Sequence, residues 1–105
     1  MTAYIYEVTM EGPENIQAGF QRWLDEHIGE MLDLKYFTSA NLIHLGSAGP
    51  NRFQIRVLYS LQSLGDLNLY IKEAAADMRD KLPSEYREQI KFRRYHYDAW
   101  ALKNL

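Results

Sequence analysis

The sequence contains no cysteine among its 105 residues. Disulfide bonds, thiolate-bound metals and a cysteine nucleophile are therefore excluded, and side-chain packing has to hold the fold together. Long apolar runs are also missing, because no stretch approaches the roughly 18 residues that a membrane-spanning helix needs. The first residues lack the basic and apolar regions of a signal peptide. These absences predict a cytoplasmic protein without a membrane partner.

An excess of charge of either sign is missing too. The sequence has 12 Lys and Arg against 14 Asp and Glu, which gives a net charge of −2 at pH 7 and no overall field for nucleic acid. Hydrophobic residues make up 47% of the chain, a share typical of folded proteins. A chain of this length can build one hydrophobic core and not two. We therefore predict a single domain over residues 1–105.

Period-two alternation of side chains predicts the strands. Residues 4–10 and residues 53–59 alternate most clearly, and the second of these segments is rich in β-branched and aromatic residues. Residues 37–45 predict a strand between them, which the turn cluster 46–51 joins to the next strand. The aromatic segment 92–100 predicts a last strand.

Apolar residues at steps of three and four predict two helices. The first stripe consists of Ile16, Phe20, Trp23, Leu24, His27, Ile28, Met31 and Leu32. The second consists of Leu64, Leu67, Ile71, Ala74, Ala75 and Met78, and it follows Ser63 as a helix N-cap. Pro83 predicts the end of this helix, with a short helical segment over residues 84–89.

The order strand, helix, strand, strand, helix, strand predicts an α+β fold of ferredoxin-like βαββαβ topology. In it, a four-stranded antiparallel sheet carries two helices on one face. The other face is bare and bears Ile5 and Leu58. Exposed apolar patches usually mark interfaces, so we expect a homodimer packed sheet to sheet as a dimeric α/β barrel.

The expected dimer interface consists of Glu7, Gln54, Arg56 and Leu58. Glu7 and Arg56 lie on adjacent central strands, where they can form a cross-strand ion pair that fixes register and partner choice. An anionic-ligand site built on Arg56 is the alternative hypothesis for this face.

Four stretches of the chain resemble an uncharacterised bacterial family within the dimeric α/β-barrel superfamily: residues 4–8, 23–28, 37–40 and 70–79. Family members read His-Ile-Pro where this chain has His27-Ile28-Gly29, and Glu-His-Ala-Pro where it has Glu73-Ala74-Ala75-Ala76. The second departure removes a histidine. The resemblance implies the fold and dimerisation, but no single activity. The wider superfamily includes cofactor-independent monooxygenases, lactone isomerases, polyketide cyclases and haem-degrading enzymes, many of which bind their ligand between helices and sheet.

Histidine and tyrosine side chains converge on the predicted inner side of the sheet. His27 lies on the apolar stripe of the first helix, and alternation places Tyr6 and Tyr59 on the same side. A histidine near phenol hydroxyls can act as a general base or acid near neutral pH. We predict His27, Tyr6 and Tyr59 as catalytic residues. The predicted ligand contacts are Trp23, Tyr4, Met31 and Tyr70. The alternative is a core histidine that a tyrosine hydroxyl or a backbone carbonyl satisfies.

Two functional hypotheses stay open. One is a cofactor-independent enzyme of monooxygenase, isomerase or cyclase type that acts on a small hydrophobic or aromatic metabolite. The other is a non-catalytic dimer that binds a small molecule or has an accessory role. No cofactor and no metal are expected, because His27, His44 and His96 lack ligand spacing. The basic and aromatic segment 91–97 raises a nucleic-acid hypothesis, but the third strand lacks the glycines of RNA-recognition domains, so no nucleic-acid partner is expected.

Overall fold

The computed structural model describes residues 4–99. The strands are β1 (Tyr4–Pro13), β2 (Phe37–Ser47), β3 (Arg52–Leu61) and β4 (Lys91–Asp98), and the helices are α1 (Gln17–Asp33), α2 (Leu64–Glu73), α3 (Ala75–Asp80) and α4 (Ser84–Arg87). A 3-10 turn (Glu14–Ile16) connects β1 to α1. The strand order is β2-β3-β1-β4, and every pairing is antiparallel. The predicted ferredoxin-like topology is thereby confirmed. None of the helices in the described range is long and apolar enough to cross a bilayer.

The two central strands, β1 and β3, build the core face of the sheet. Tyr6 pairs with Tyr59 and Val8 pairs with Val57, and all four side chains are buried. The predicted alternation is confirmed for β3, whose burial alternates strictly. Strand β1 also buries Ile5 and Thr9 on the outer face, so the expectation that this face exposes Ile5 is wrong. β-branched and aromatic side chains favour this pleated, buried surface.

Helix α1 is attached to the sheet by an aromatic cluster around Phe20. The Phe20 side chain is fully buried, and its ring centroid lies 5.9 Å from that of Phe53 and 6.5 Å from that of Phe92. The rings of Trp23 and Tyr86 complete the cluster at 5.8 and 5.5 Å. Such aromatic pairs stabilise beyond the area they bury, so this cluster fixes the position of α1.

The prediction of one continuous second helix is wrong. Helix α2 ends at Glu73 and α3 begins at Ala75, because Ala74 between them has φ −137° and ψ −23°, outside the α-helical region. The predicted N-cap is confirmed, since the Ser63 hydroxyl accepts a hydrogen bond from the backbone N–H of Asp66 at 3.2 Å.

The predicted apolar stripe of this helix is correct only in part. Leu67, Ala75 and Met78 are buried, but Leu64 and Ile71 are 43% and 50% exposed. Tyr70 takes the inward position instead, because its ring packs on Phe37 with centroids 4.9 Å apart. Both Tyr70 and Ile71 have helical spacing from Leu67, so only tertiary packing distinguishes them.

The remaining connections follow the sequence closely. Pro83 precedes α4, which lies within the predicted helical segment, although the helix before it already ends at Asp80. Positive φ angles occur at Gly46, near the end of β2, and at Gly49 and Asn51 in the turn that leads to β3. Strand β4 ends at Asp98, and Trp100, which was predicted to close it, lies outside the described residues.

The outer face of the sheet, away from the helices, carries Glu7, Gln54, Arg56 and Leu58, as predicted from alternation. Arg56 Nε lies 3.5 Å from Glu7 Oε2, which makes the expected ion pair diagonal across β1 and β3. The Tyr97 hydroxyl also donates to Glu7 Oε1 at 2.7 Å. Ile43 and Tyr95 leave 38% and 54% of their surface exposed on this face.

Candidate functional site

A cavity of about 160 Å³ lies between α1, α3 and the inner face of the sheet. Its apolar lining consists of Val8, Met10, Leu24, Met31, Met78, Leu82 and Phe92. An apolar cavity of about 150 Å³ is large enough to bind benzene. The cavity therefore has room for a single aromatic ring.

The structure brings together six of the seven residues predicted for a catalytic or ligand-binding site. His27, Tyr6, Tyr59, Trp23, Met31 and Tyr70 all line the cavity. Tyr4 does not line it. It lies one inward position before Tyr6 on β1, and its hydroxyl is 2.8 Å from His96 Nδ1 on β4. The expected ligand contact of Tyr4 is therefore absent from this cavity.

His27 is held in the cavity wall by stacking. Its ring lies against the ring of Trp23, one helical turn earlier, with centroids 4.6 Å apart and planes 16° from parallel. Within residues 4–99, the buried Nδ1 atom of His27 has no hydrogen-bond partner. Nδ1 of His27 is thus an exception to the rule that buried polar atoms find partners, and the partner expected for a core histidine is missing at this atom.

Burial lowers the pKa of His27 below the 6.5 of an exposed imidazole. The Glu30 carboxylate opposes this shift, and the Lys81 ammonium, which pairs with Glu30, adds to it. The imidazole is consequently neutral at pH 7. A neutral imidazole has one nitrogen with a free lone pair, which is what a general base requires.

Three phenol rings that line the cavity lie close together. The ring centroid of Tyr6 lies 6.1 Å from that of Tyr59 and 5.9 Å from that of Tyr70. Burial raises the pKa of Tyr59, and it raises the pKa of Tyr70 to about 12. Both phenols therefore stay protonated at neutral pH, and each hydroxyl can donate one hydrogen bond. The Tyr70 hydroxyl donates its own to Met31 Sδ at 3.5 Å.

Sequence interpretation missed three arginines that line the cavity, namely Arg79, Arg87 and Arg94. For two of them, the spacing from an apolar residue in the sequence indicates a position on the inner face. Arg79 follows the buried Ala75 by four residues, and Arg94 follows Phe92 by two on the same face of β4. The signal was weak because charged residues at such positions are usually solvated.

Acid is expected to destabilise the folded protein through His27. The unfolded chain binds a proton at His27 near pH 6.5, but the folded protein binds it only at lower pH. The free energy of unfolding should therefore fall as the pH drops below about 6.5, and this fall should level off below the folded pKa. Urea denaturation at about pH 7.5 and about pH 5.5 measures it. His27→Gln should lose this component while His44 and His96 remain, so equal pH dependence of the two proteins would contradict the buried-imidazole geometry.

The described residues contain no group of three or more His, Asp or Glu side chains placed to hold a metal ion. The polar side chains that line the cavity carry imidazole, phenol and guanidinium groups. Fold and cavity together define a ferredoxin-like α+β protein with an apolar, phenol-lined cavity between helices and sheet.

The chain belongs to the DUF4286 family, a domain of unknown function, whose model matches residues 3–97. The predicted resemblance to an uncharacterised family is thereby confirmed. No curated protein sequence is significantly similar to this chain.

Solved structures share the fold at low sequence identity. A dimeric ferredoxin-like protein from an uncultured marine organism is 10% identical over 93% of this chain and 95% of its own, with a TM-score of 0.71. SnoaB, a cofactor-independent oxygenase from Streptomyces nogalater, is 8% identical over 90% of each chain, with a TM-score of 0.64. A conserved protein from Methanosarcina mazei is 16% identical over 90% of this chain and 92% of its own, with a TM-score of 0.61. These similarities confirm the fold class.

Proposed function

We propose that the protein binds a small hydrophobic or aromatic metabolite in the cavity and transforms it without a cofactor, as a monooxygenase, isomerase or cyclase. The observation that carries this proposal is His27, a neutral imidazole that lines a cavity of aromatic-ring size together with the phenols of Tyr6 and Tyr59. A pocket that is mainly apolar with a few convergent polar groups is typical of small-molecule sites.

In this proposal, His27 removes a proton from the bound ligand. The Tyr6 and Tyr59 hydroxyls donate hydrogen bonds to a ligand oxygen, where they stabilise the negative charge that develops as the proton leaves. Trp23 and Met31 hold the apolar part of the ligand, and Tyr70 supports it from α2. The similarity in fold to SnoaB agrees with cofactor-independent chemistry, although fold alone does not fix function.

A non-catalytic binding protein is the second candidate. The stacked rings of Trp23 and His27 favour it, because a fixed imidazole can serve as part of the cavity wall without transferring a proton. Both candidates need the same ligand in the same cavity. Ligand binding is therefore the first property to test.

The uncharged probe 4-methylbenzyl alcohol should bind in the cavity of the wild-type protein. Titration of the 15N-labelled protein should shift backbone amide signals near His27 and Tyr59. Val8→Phe fills the cavity and should abolish these shifts, and Leu82→Phe narrows the cavity from the loop after α3 and serves if the first variant does not fold. Leu69→Phe adds the same ring at a position that is 46% exposed, and it should leave binding unchanged.

Failure of the wild-type cavity signals to shift at millimolar alcohol would contradict the proposed site. Equal shifts in the wild-type and Val8→Phe proteins would also contradict it, because the probe would then bind elsewhere. His27→Gln separates the two candidates once a converted ligand is known, since it should abolish turnover in an enzyme and leave simple binding intact.

We further propose a cytoplasmic homodimer that pairs through the outer face of the sheet. Leu58, Ile43 and Tyr95 supply the apolar surface for this contact, and the Glu7–Arg56 ion pair lies beside Leu58. The similar protein from the uncultured marine organism is described as dimeric. In such a dimer each inner cavity would stay on the helical side, away from the interface.

A further inference from the structure

Among residues 4–99, the cavity is lined by three arginines and by no acidic residue. Within residues 4–99, Arg79, Arg87 and Arg94 form no ion pair with a carboxylate. Arg52, Arg56 and Arg93, whose side chains meet glutamates of β1, each form one at 3.4 to 3.9 Å. The positive charge at the cavity is thus not neutralised by the described part of the chain.

Two of these guanidinium groups lie beside aromatic rings that line the cavity. Arg79 Nη2 donates to the Tyr6 hydroxyl at 3.4 Å, which places Arg79 beside the central phenols. Arg94 lies over the Phe92 ring, with its guanidinium carbon 5.0 Å from the centroid. The charges of both arginines act on the Tyr70 phenol and lower its pKa against the larger effect of burial. Arg79 and Arg94 therefore approach the cavity from α3 and from β4.

Arg87 differs from the other two arginines because its side chain binds the backbone of its own chain. Its Nε and Nη2 atoms donate to the backbone carbonyls of Leu82 and Asp80 at 3.1 and 2.9 Å. These bonds tie α4 to the end of α3 and leave Arg87 fewer donors for a ligand. A guanidinium has five N–H donors in a planar fork that matches the two oxygens of a carboxylate. Arg79 and Arg94 keep most of theirs.

We propose that the cavity is specific for a small aromatic carboxylic acid, whose carboxylate is held by Arg79 and Arg94 and whose ring lies on the apolar lining. This substrate class rests on the proposed function, because it names the ligand of that same cavity. Both arginines are solvent-exposed, so the carboxylate remains at the mouth of the cavity while the ring is buried. A charged head at the mouth avoids the cost of burying an ion.

The test compares two probes of matched size, 4-methylbenzoate and 4-methylbenzyl alcohol, by titration of the 15N-labelled protein at pH 7. The wild-type protein should bind the acid at least about tenfold more tightly than the alcohol, as expected when two arginines make charge-assisted contacts with the carboxylate. Arg79→Gln and Arg94→Gln should each weaken binding of the acid by about tenfold and leave binding of the alcohol unchanged. Arg93→Gln, on the opposite face of β4, should change neither affinity.

Each outcome has a defined consequence. Equal affinity of the wild-type protein for acid and alcohol would overturn the preference for an acid and leave the proposed function standing. Acid affinity that survives in both Arg79→Gln and Arg94→Gln would also overturn it, as would an equal loss in Arg93→Gln. If neither probe shifts the cavity signals, the proposed function and the substrate class both fail.

Discussion

Substitution of Phe20 with alanine is expected to lower the free energy of unfolding by about 3–5 kcal/mol. The Phe20 side chain is fully buried among four other aromatic rings, so its removal leaves a void that those rings are too rigid to fill. Urea denaturation at fixed protein concentration measures the change, because any dimerisation would make stability depend on concentration.

The matched control for Phe20→Ala is Leu32→Ala in the same helix. Leu32 is 38% exposed, so its loss should cost less than about 1 kcal/mol. A cost for Phe20→Ala as small as that of Leu32→Ala would mean that α1 does not pack on the sheet as described. The cavity, which needs α1 as one wall, would then be in doubt as well.

The second large effect concerns the outer face of the sheet. Wild-type protein at micromolar concentration should sediment at about twice 12.4 kDa. Arg56→Glu replaces the cation beside Glu7 with a second anion, and repulsion between desolvated like charges should weaken the dimer by about 2–5 kcal/mol. Sedimentation equilibrium of the variant measures the change in the dimerisation constant.

Two further variants make this test specific. Arg52→Glu reverses a charge at the start of β3, where Arg52 lies 3.9 Å from Glu11 at the sheet margin, and it should affect dimerisation less. Combining Glu7→Lys with Arg56→Glu restores opposite charges and should recover part of the lost affinity. A monomeric wild-type protein would refute the sheet-to-sheet dimer, and an unchanged constant in Arg56→Glu would place Arg56 outside the interface.

The strands and the topology were predictable because the alternation of side chains that indicates a strand is a local property of the sequence. The side chains of β1 and β3 alternate between the two faces of the sheet, which buries Tyr6, Val8, Val57 and Tyr59 on the inner face, although Ile5 and Thr9 on the outer face of β1 are buried as well. The break at Ala74 was not predictable, since alanine favours helix and its backbone angles here depend on how α3 packs. The choice of Tyr70 over Ile71 likewise depends on the rings that surround Tyr70 in the folded protein.

The part of the candidate site formed by His27, Tyr6 and Tyr59 was predictable from the helical spacing of α1 and the alternation of β1 and β3. The helical stripe carries His27 to the sheet, and strand alternation carries Tyr6 and Tyr59 to the same side, so their convergence follows from the fold. Tyr4 satisfies the same alternation, but distance along β1 excludes it, and sequence does not give the extent of a cavity. The arginines were missed because Arg79 and Arg94 come from separate elements, and only the tertiary structure brings them together.

The interruption of the helix at Ala74 leaves the cavity with one wall formed by a short helix and another formed by a long helix, and the two differ in stability. Met78 and Arg79 belong to α3, a helix of six residues, whereas His27 and Met31 belong to α1, a helix of 17 residues. A helix of six residues closes few hydrogen bonds of its own, so it depends on its neighbours for order. Local unfolding of α3 therefore costs less free energy than that of α1, and it leaves the sheet intact. If the proposed cavity ligand binds, we therefore expect it to enter from the α3 side, because displacement of α3 does not require movement of the His27 imidazole or of the Tyr6 and Tyr59 phenols.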